Sequence, residues 1–350
     1  MSKSELSRLS GISSPTVIKI VDFLRDRGLV EETSGKNPGV GRKPQLVRLN
    51  PNAIYAVGVI IEGEYIRVGI VNIAGDIYPS NLRKAGANLA ESLSVILPEM
   101  IESVVDAIVP NRIGIRGIGL GVPGGYNPKT HVVNFAPLIH LNEPTSIAHH
   151  EQLLKDRFSL PVFVDNDVNM AALGEYRMRK LNHSDLIYIS FGTGIGAGII
   201  LDGHLRTGNT WQCGEIGYMT FIGNYTPGYQ RPGWLENEIN LTALREKFNF
   251  DPYKPNGQSL PAVIDYVSNS LAICISNVVS LLDCDRVVLG GVIAQSLGMP
   301  LIECVNSKVQ GLCVLPTNVE RQTSLDPGVV GAASVVIDHA IKATLSDKNQ

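Results

Sequence analysis

The sequence predicts an α/β protein in which a small winged helix-turn-helix head precedes a two-lobed body. Two short amphipathic helices around a glycine turn, followed by two strands around a basic loop, predict the head. From residue 51 onward, strands and helices alternate, which is typical of α/β lobes with a mixed sheet. The order strand, glycine turn, strand and helix occurs twice, so we expect an internal duplication with a cleft between the lobes.

Length and composition fit this organisation. The 350 residues exceed one ordinary domain of about 100–200 residues. With 44% hydrophobic and 18% charged residues, a sizeable core is expected and general disorder is excluded. The sequence has no run of about 18 apolar residues, and its start is polar, so we expect neither a membrane partner nor a secretory signal. Five cysteines without a C-x-x-C pair argue against disulfides and thiolate metal clusters, which favours a cytoplasmic protein.

Three units follow from the composition. Asn50-Pro51 marks the first boundary, so residues 1–50 form the head. We assign 51–170, together with about 325–350, to a first lobe and 171–324 to a second lobe. The head holds nine Lys and Arg against five Asp and Glu, whereas the whole chain has a net charge of −3. A basic head on an acidic body predicts that the head meets a polyanion.

The pair of predicted helices is the strongest sequence evidence for a helix-turn-helix in the head. Ser4–Leu9 predicts the first helix, Gly11 the turn, and Ser13 or Ser14 the cap of a second helix that ends before Gly28. Apolar residues recur in that helix at helical spacing, namely Val17, Ile20, Val21 and Leu24. A recognition helix meets DNA with its exposed N-terminal face, and the candidate contacts there are Ser14, Thr16 and Lys19.

The wing follows as two short strands, Leu29–Glu32 and Gln45–Leu49, around a glycine-rich basic tip. Arg42 and Lys43 in that tip suit a narrow A·T minor groove. The alternative is a helical hairpin with a solvated basic loop. A helix that usually precedes such a pair is missing, so we expect the head to be loosely packed or to lean on another surface.

The first lobe begins with a predicted β-meander. Its strands are Ala53–Glu62, Glu64–Ile73 and Asp76–Tyr78, broken at glycines. Residues 89–108 have the apolar period of a helix, and Gly117–Val122 predicts a buried strand.

Three segments of the body could carry chemistry. Val162–Asp167 is a strand that ends in polar residues before a helix; a carboxylate there could accept a sugar hydroxyl proton in phosphoryl transfer or simply cap the helix. Phe191–Gly198 alternates glycines whose amides could approach a phosphate or sugar, or it is a plain hairpin. Cys213–Tyr218 and Trp234–Glu236 supply two carboxylates and aromatic rings for a sugar, or merely solvated loop acids. The seven histidines show no ligand spacing, so we expect no metal site from them.

Together these residues resemble the ROK family of repressors, open reading frames and sugar kinases, and in particular its winged-helix transcriptional repressors. The motifs that carry the resemblance are Gly41-Arg42-Lys43-Pro44, Gly119-Leu120-Gly121-Val122-Pro123-Gly124, Asn166-Asp167, Gly192-Thr193-Gly194-Ile195-Gly196, Gly214-Glu215-Ile216-Gly217 and Gly290-Gly291. The resemblance implies an actin-like, ribonuclease-H-like body that closes on a sugar. It also implies the sugar contacts, which would be Gly124, Asn134, Asn166, Asp167, Glu215 and Glu236. Asp167 would match the catalytic base of the kinases.

Two departures from the family pattern separate the possible functions. ROK kinases carry an acidic residue at the end of the first strand, where this chain has Ile60. Many members also bind structural zinc through a His and three cysteines, but Tyr218 stands at the His position and no cysteine lies between Phe221 and Glu236. We therefore predict a sugar-responsive repressor without catalysis, zinc or other cofactor, which binds operator DNA as a homodimer or homotetramer. The alternative is an ATP- and Mg²⁺-dependent sugar kinase.

Overall fold

The computed structural model describes residues 1–34, 45–63, 65–86, 88–134, 143–221, 233–255, 257 and 259–346. The head contains α1 (Lys3–Ser10), α2 (Ser14–Asp26), β1 (Val30–Ser34) and β2 (Gln45–Leu49), with β1 and β2 antiparallel. The first lobe contains β3 (Tyr55–Glu62), β4 (Tyr65–Asn72), β5 (Asn81–Lys84), α3 (Leu89–Glu91), α4 (Leu97–Ile108), β6 (Ile115–Val122), β7 (Tyr126–Asn127), β8 (Val132–Val133), β9 (Thr145–Ser146), α5 (Ala148–Phe158), β10 (Val162–Asn166) and α6 (Asp167–Met178). The second lobe contains β11 (Leu186–Phe191), β12 (Ile195–Leu201), β13 (His204–Leu205), α7 (Trp234–Ile239), α8 (Leu241–Phe248), α9 (Leu260–Leu282), β14 (Arg286–Gly290), α10 (Gly291–Leu312), β15 (Asn318–Arg321) and α11 (Pro327–Ser346).

Local capping forms the helix-turn-helix as the sequence predicts. The backbone N–H of Glu5 donates to the Ser2 hydroxyl, and the Ser2 N–H donates to the Glu5 carboxylate, a reciprocal capping box. Gly11 turns the chain with a φ of 70°, and Ser13 caps α2 by accepting the N–H of Thr16. The tip of the wing, including Arg42 and Lys43, lies outside the described residues.

The head rests on the body of its own chain. Leu29 is buried and Leu24 packs beside it, in an apolar cluster that includes Ile54 and Ile337 of the body. The Arg27 side chain also donates from Nε to the carbonyl of Thr344 on α11, at 3.1 Å. The surface on which the head leans is therefore α11 and the start of the first lobe.

The two lobes repeat one topology, as the duplication predicted. The first sheet has the order β10-β6-β3-β4-β5, and the second has the matching order β15-β14-β11-β12-β13. In chain order, the first three strands of each sheet form an antiparallel meander, and the last two strands are parallel to the first strand. The body is thus a mixed α/β protein of the actin-like type.

The meander differs from the prediction at its third strand. The predicted strand Asp76–Tyr78 forms only an isolated bridge to β4, and the third strand is instead β5. The Asn72 side chain holds a tight turn by accepting the N–H groups of Ala74 and Asp76. Pro79, which has no N–H to donate, then interrupts the pairing before β5 begins.

The lobes exchange their last helices. α6 follows the final strand of the first lobe but packs on β11 and β12, whereas α11 follows the final strand of the second lobe and packs on β3 and β6. The two helices cross at Gly174 and Gly331, where an added Cβ would lie 1.8 Å from the Pro327 carbonyl oxygen and 1.6 Å from that of Met170. Only glycine permits this backbone contact. The residue numbers of the predicted domain boundaries stay a prediction.

Among the described residues, α9 and α11 are long and apolar enough to cross a membrane by length and composition. Half of each apolar window is buried inside the protein, including Val267 and Leu271 of α9 and Val329 and Ala332 of α11. Core helices of soluble proteins meet the same criterion, so this is weak evidence for a membrane span.

Candidate functional site

A cleft of about 550 Å³ lies between the lobes. The first lobe contributes the β3–β4 turn, the loop after β6 and the start of α6 to the lining of the cleft. The second lobe contributes the β11–β12 turn, residues 211–218 in part, and α7 and α8. Five of the six predicted sugar contacts line it, namely Gly124, Asn166, Asp167, Glu215 and Glu236.

Asn166 ties the loop after β6 to the start of α6. Its side-chain oxygen accepts the N–H groups of Val168 and Asn169, so it is the cap of the helix. Its amide nitrogen donates to the Gly124 carbonyl at 3.1 Å and to Asp167 Oδ1 at 3.0 Å. Asn166 is therefore both a cap and a fixed part of the cleft wall, while Asp167 begins the helix and faces the cleft.

Asp167 lies in an acidic environment that the sequence analysis only partly anticipated. Burial raises the pKa of Asp167 well above its usual value, and the nearby carboxylates of Glu62 and Glu215 raise it further. Glu62 is the last residue of β3 and was not a predicted site residue. Its side chain is exposed to the cleft, and desolvation by the surrounding protein raises the pKa of Glu62 as well.

The two acids of the second lobe come from separate segments. Gly214 has a φ of 93°, and a Cβ there would lie 1.8 Å from the Ala197 carbonyl, so glycine is required just before Glu215. Glu236, on α7, accepts the N–H of Ile195 at 3.0 Å. Burial raises the pKa of both carboxyl groups, and the charge of Glu236 adds to the effect on the pKa of Glu215.

The glycine-rich segment is the tip of the β11–β12 hairpin, and it also lines the cleft. Gly192 donates its N–H to the Gly194 carbonyl at 3.0 Å across the turn. On the opposite side, a Cβ added to Gly63 would lie 3.5 Å from the Thr193 hydroxyl. The hairpin tips of the two lobes therefore approach each other closely.

Asn134, the sixth predicted contact, lies beside the cleft rather than in its described lining. Its N–H donates to the Gly125 carbonyl at 2.8 Å. A network that sequence reasoning missed lies behind it: the Tyr126 hydroxyl donates to Glu151 Oε1 at 2.6 Å, and His131 Nδ1 is 3.0 Å from the same oxygen. The seven histidines show no ligand spacing in the sequence, and no signal links His131 to Glu151, twenty residues later.

The DNA-binding candidates that the structure describes are all exposed on α2. Ser14 and Thr16 lie in its first turn, and Lys19 lies in the second. The Ser14 hydroxyl donates to Ser7 of α1 at 3.2 Å, which joins the two helices of the motif. Arg42 and Lys43 lie outside the described residues, so their position relative to α2 stays a prediction.

Residues 56–339 match the family model described as the ROK family. The chain belongs to the ROK family. A putative xylose repressor of Caldicellulosiruptor sp. (strain Rt8B.4) is 29% identical over 323 residues, which cover 83% of this chain and 79% of that protein. The xylose repressor of Bacillus subtilis (strain 168) is 31% identical over 222 residues, 63% of this chain and 56% of the repressor, so this match spans little more than half of its length.

Enzymes of the family, and solved structures of its members, are also similar to this chain. A glucokinase of Halalkalibacterium halodurans is 27% identical over 282 residues, covering 69% of this ROK chain and 81% of the enzyme. A crystal structure of a ROK family transcriptional regulator, a homolog of the E. coli MLC protein, superposes with a TM-score of 0.75 at 19% identity, covering 99% of this chain and 93% of that one. A Streptomyces griseus ROK glucokinase in complex with glucose and AMPPNP has a TM-score of 0.64 at 23% identity, covering 80% and 98%. At these identities the structures establish the fold alone.

The residues present do not fit the metal groups that ROK relatives suggest. Ile60, at the kinase acid position, is buried in an apolar cluster and packs so closely that a Cβ on Gly328 would lie 2.6 Å from its Cγ1. It offers no oxygen to organise Mg²⁺. For zinc, Tyr218 replaces the His, and the part of the chain that the structure describes contains no group of three His, Cys, Asp or Glu residues that could hold a metal.

Proposed function

We propose that this ROK chain is a DNA-binding transcriptional repressor of sugar-metabolism genes whose body binds a sugar effector. One observation carries the proposal: a single helix, α11, packs against Ile60 beside the interlobe cleft at one end and against the helix-turn-helix head at the other. The names of the xylose repressors among its relatives support the same function. The protein acts in the cytoplasm, where its operator DNA lies.

The cleft offers the chemistry that a sugar requires. Carboxylates accept hydrogen bonds from hydroxyl groups, and the Thr193 hydroxyl of the β11–β12 turn can both donate and accept. Trp211 and Tyr218 line the same cleft and supply apolar ring faces. Burial raises the pKa values of Asp167, Glu215 and Glu236. Hydroxyl groups of a bound sugar would oppose this effect, because hydrogen bonds donated to a carboxylate favour its ionised form.

Helix α11 is the connection between ligand and DNA. Its first turn contacts Ile60 beside the cleft, and it crosses α6, which begins at Asp167. Its far end accepts the Arg27 hydrogen bond through the Thr344 carbonyl. Lobe closure on a sugar therefore repositions the head. By linkage, sugar and DNA then change each other's affinity equally, by a coupling free energy of typically about 1–3 kcal/mol.

The regulator works without catalysis, and it needs neither zinc nor another cofactor. Ile60 opposes an ATP–Mg²⁺ complex, because an apolar side chain at that position offers no oxygen to the metal. A sugar kinase remains the second candidate, since Asp167 lies in the cleft with a strongly raised pKa, as a catalytic base could.

The assembly that meets the operator is a homodimer or homotetramer. A single small head buries little DNA surface, and symmetric oligomers read palindromic sites with two heads. No membrane partner is part of the proposal.

The main test is selection of genomic DNA fragments by the purified full chain at low and high salt, with and without a mixed sugar pool. We expect enrichment of a palindromic, partly A·T-rich site whose recovery falls with salt and changes with sugar. Substitution of Lys19 by alanine should weaken binding, while substitution of Lys342 on α11 should leave it unchanged. Failure to enrich any site at low salt would contradict the proposal.

An ATP-dependent phosphorylation assay on a sugar panel tests the kinase candidate. We expect no turnover above background. Turnover that disappears in the Asp167→Asn variant would replace the regulator with an enzyme.

A further inference from the structure

The cleft is larger than one sugar ring requires. Its volume of about 550 Å³ lies within the range of about 300–1,000 Å³ that accommodates drug-sized ligands. The predicted sugar contacts gather in one part, which we call the inner half: Gly124, Asn166, Asp167, Glu215 and Glu236. The rest, the outer half, runs from the β3–β4 turn of the first lobe to α8 of the second lobe.

The outer half has a shaped wall on each side. α8 presents Thr242 and Glu246, one helical turn apart, to the cleft, and Glu62 and Gly63 face it from the first lobe. Two exposed tyrosines, Tyr65 on β4 and Tyr253 after α8, are not part of the described lining but lie near Glu62 on this side of the cleft.

The charge of the outer half excludes phosphate. Lys247 is the cation among the lining residues that the structure describes, and its ammonium is already bonded to Glu238 at 2.8 Å and to the Tyr266 hydroxyl. Glu62 and Glu246 add negative charge on opposite sides of the same space. A phosphoryl group placed there would meet two carboxylates and no free ammonium or guanidinium among these residues.

Aromatic side chains and uncharged hydrogen-bonding groups suit a sugar ring. Tyrosine combines an apolar ring face with a hydroxyl, and Thr242 adds a second hydroxyl. We infer that the outer half is a second sugar subsite, that the effector is an uncharged saccharide of at least two rings, and that Glu62 excludes phosphorylated sugars. This inference rests on the proposed function, because it assumes that the inner half binds a sugar.

Isothermal titration of the full chain with single sugars and their dimers tests the inference. The probes are D-xylose, D-glucose, xylobiose, cellobiose, maltose and glucose 6-phosphate. We expect at least one disaccharide to bind about tenfold tighter than its own monosaccharide, and glucose 6-phosphate to bind more weakly than glucose.

Two variants locate the effect. Thr242→Trp fills the outer half from an exposed helix position, so the disaccharide advantage should fall to about twofold or less. Ser307→Trp, an equally exposed change on α10 outside the cleft lining, is the matched control and should keep the advantage. Glu62→Gln should narrow the gap between glucose and glucose 6-phosphate.

The outcomes separate this inference from the proposed function. If monosaccharides bind as tightly as every dimer, or if glucose 6-phosphate binds best, the second subsite is overturned and sugar sensing stands. If Thr242→Trp leaves the disaccharide advantage intact, the subsite lies elsewhere and the inference fails. If no saccharide binds, while the chain still selects DNA, both the inference and the sugar-responsive function are overturned.

Discussion

The two lobes repeat one strand order, yet the helix that crosses each sheet is seated differently. In the first lobe, α11 lies on glycines: a Cβ added to Gly58 or Gly119 would come within 2.1 Å of the Val329 carbonyl oxygen or 2.0 Å of the Ala332 carbonyl oxygen. In the second lobe, the central strand instead places the buried ring of Tyr188 beside α6.

The difference indicates a division of labour. α11 meets the first sheet at backbone distance, so the helix and this lobe move as one body that also carries the head. The second lobe contributes Glu215, Glu236 and the Gly192 turn, all on loops or short helices that face the cleft. Under the proposed function, the first lobe transmits the signal, and the second lobe contributes two of the predicted ligand contacts, Glu215 and Glu236.

The largest expected effect comes from disrupting the close packing of α11 on the first sheet. Gly119→Ala places a methyl group against the Ala332 backbone, so the free energy of unfolding should fall by about 3 kcal/mol or more. Gly311→Ala, on α10 with nothing within 4 Å of the added Cβ, is the control and should be neutral or slightly stabilising. Chemical denaturation measures both, and equal unfolding curves would show that the close seat is unimportant.

The next largest effect is expected from removing the hydrogen bond between the head and α11. Arg27→Ala removes the hydrogen bond to the Thr344 carbonyl, so sugar should still bind but change DNA affinity by less than about threefold. Arg25→Ala removes a positive charge from α2, but its described partners, Asp22, Asp26 and Glu32, all lie within the head, so the sugar response should persist. Fluorescence anisotropy of labelled operator with and without sugar measures the response. An unchanged response in Arg27→Ala would mean that another contact transmits the signal.

A smaller effect tests whether the first lobe also shapes the ligand site. Glu151→Gln weakens the network with Tyr126 and His131 that supports the loop bearing Gly125 and Asn134. We expect sugar affinity to fall about three- to tenfold, with DNA affinity in the absence of sugar unchanged. Glu102→Gln, a surface change that affects only an ion pair with Arg157 among the described contacts, provides the control in the same titration. Equal affinities in the two variants would remove Glu151 from the site.

The smallest expected effect concerns the acids of the cleft. Burial and the neighbouring Glu62 raise the pKa of Asp167 above its value in the unfolded chain, so the stability it contributes is full at acid pH and lost as pH rises through the raised pKa. Asp167→Asn should therefore raise Tm by about 2 °C at pH 8 and by less at pH 5. Thermal unfolding at the two pH values measures the difference. A larger gain at pH 5 would contradict the assigned direction.

Local interactions specify the parts of the fold that depend on neighbours in the chain. Ser13 as a helix cap and Gly11 as a turn lie where they were predicted. In α2, Val17 and Val21 are buried as the apolar period predicts, whereas Ile20 is exposed. The repeated order of strand, glycine turn, strand and helix also indicated the duplication, because strands and turns have local sequence signatures. The third strand of the meander was misplaced, since a few β-prone residues do not reveal which of them will pair.

Contacts between distant segments appear only in the tertiary structure. It brings Glu62 beside Asp167, Glu151 beside His131 and α11 beneath the head, over separations at which no sequence period operates. The sequence indicated the turn at Gly63, but it did not show that Gly119 admits the backbone of a helix. The physical reason is that close packing and desolvation arise only once both lobes are folded, so neither can be deduced from one segment of the chain.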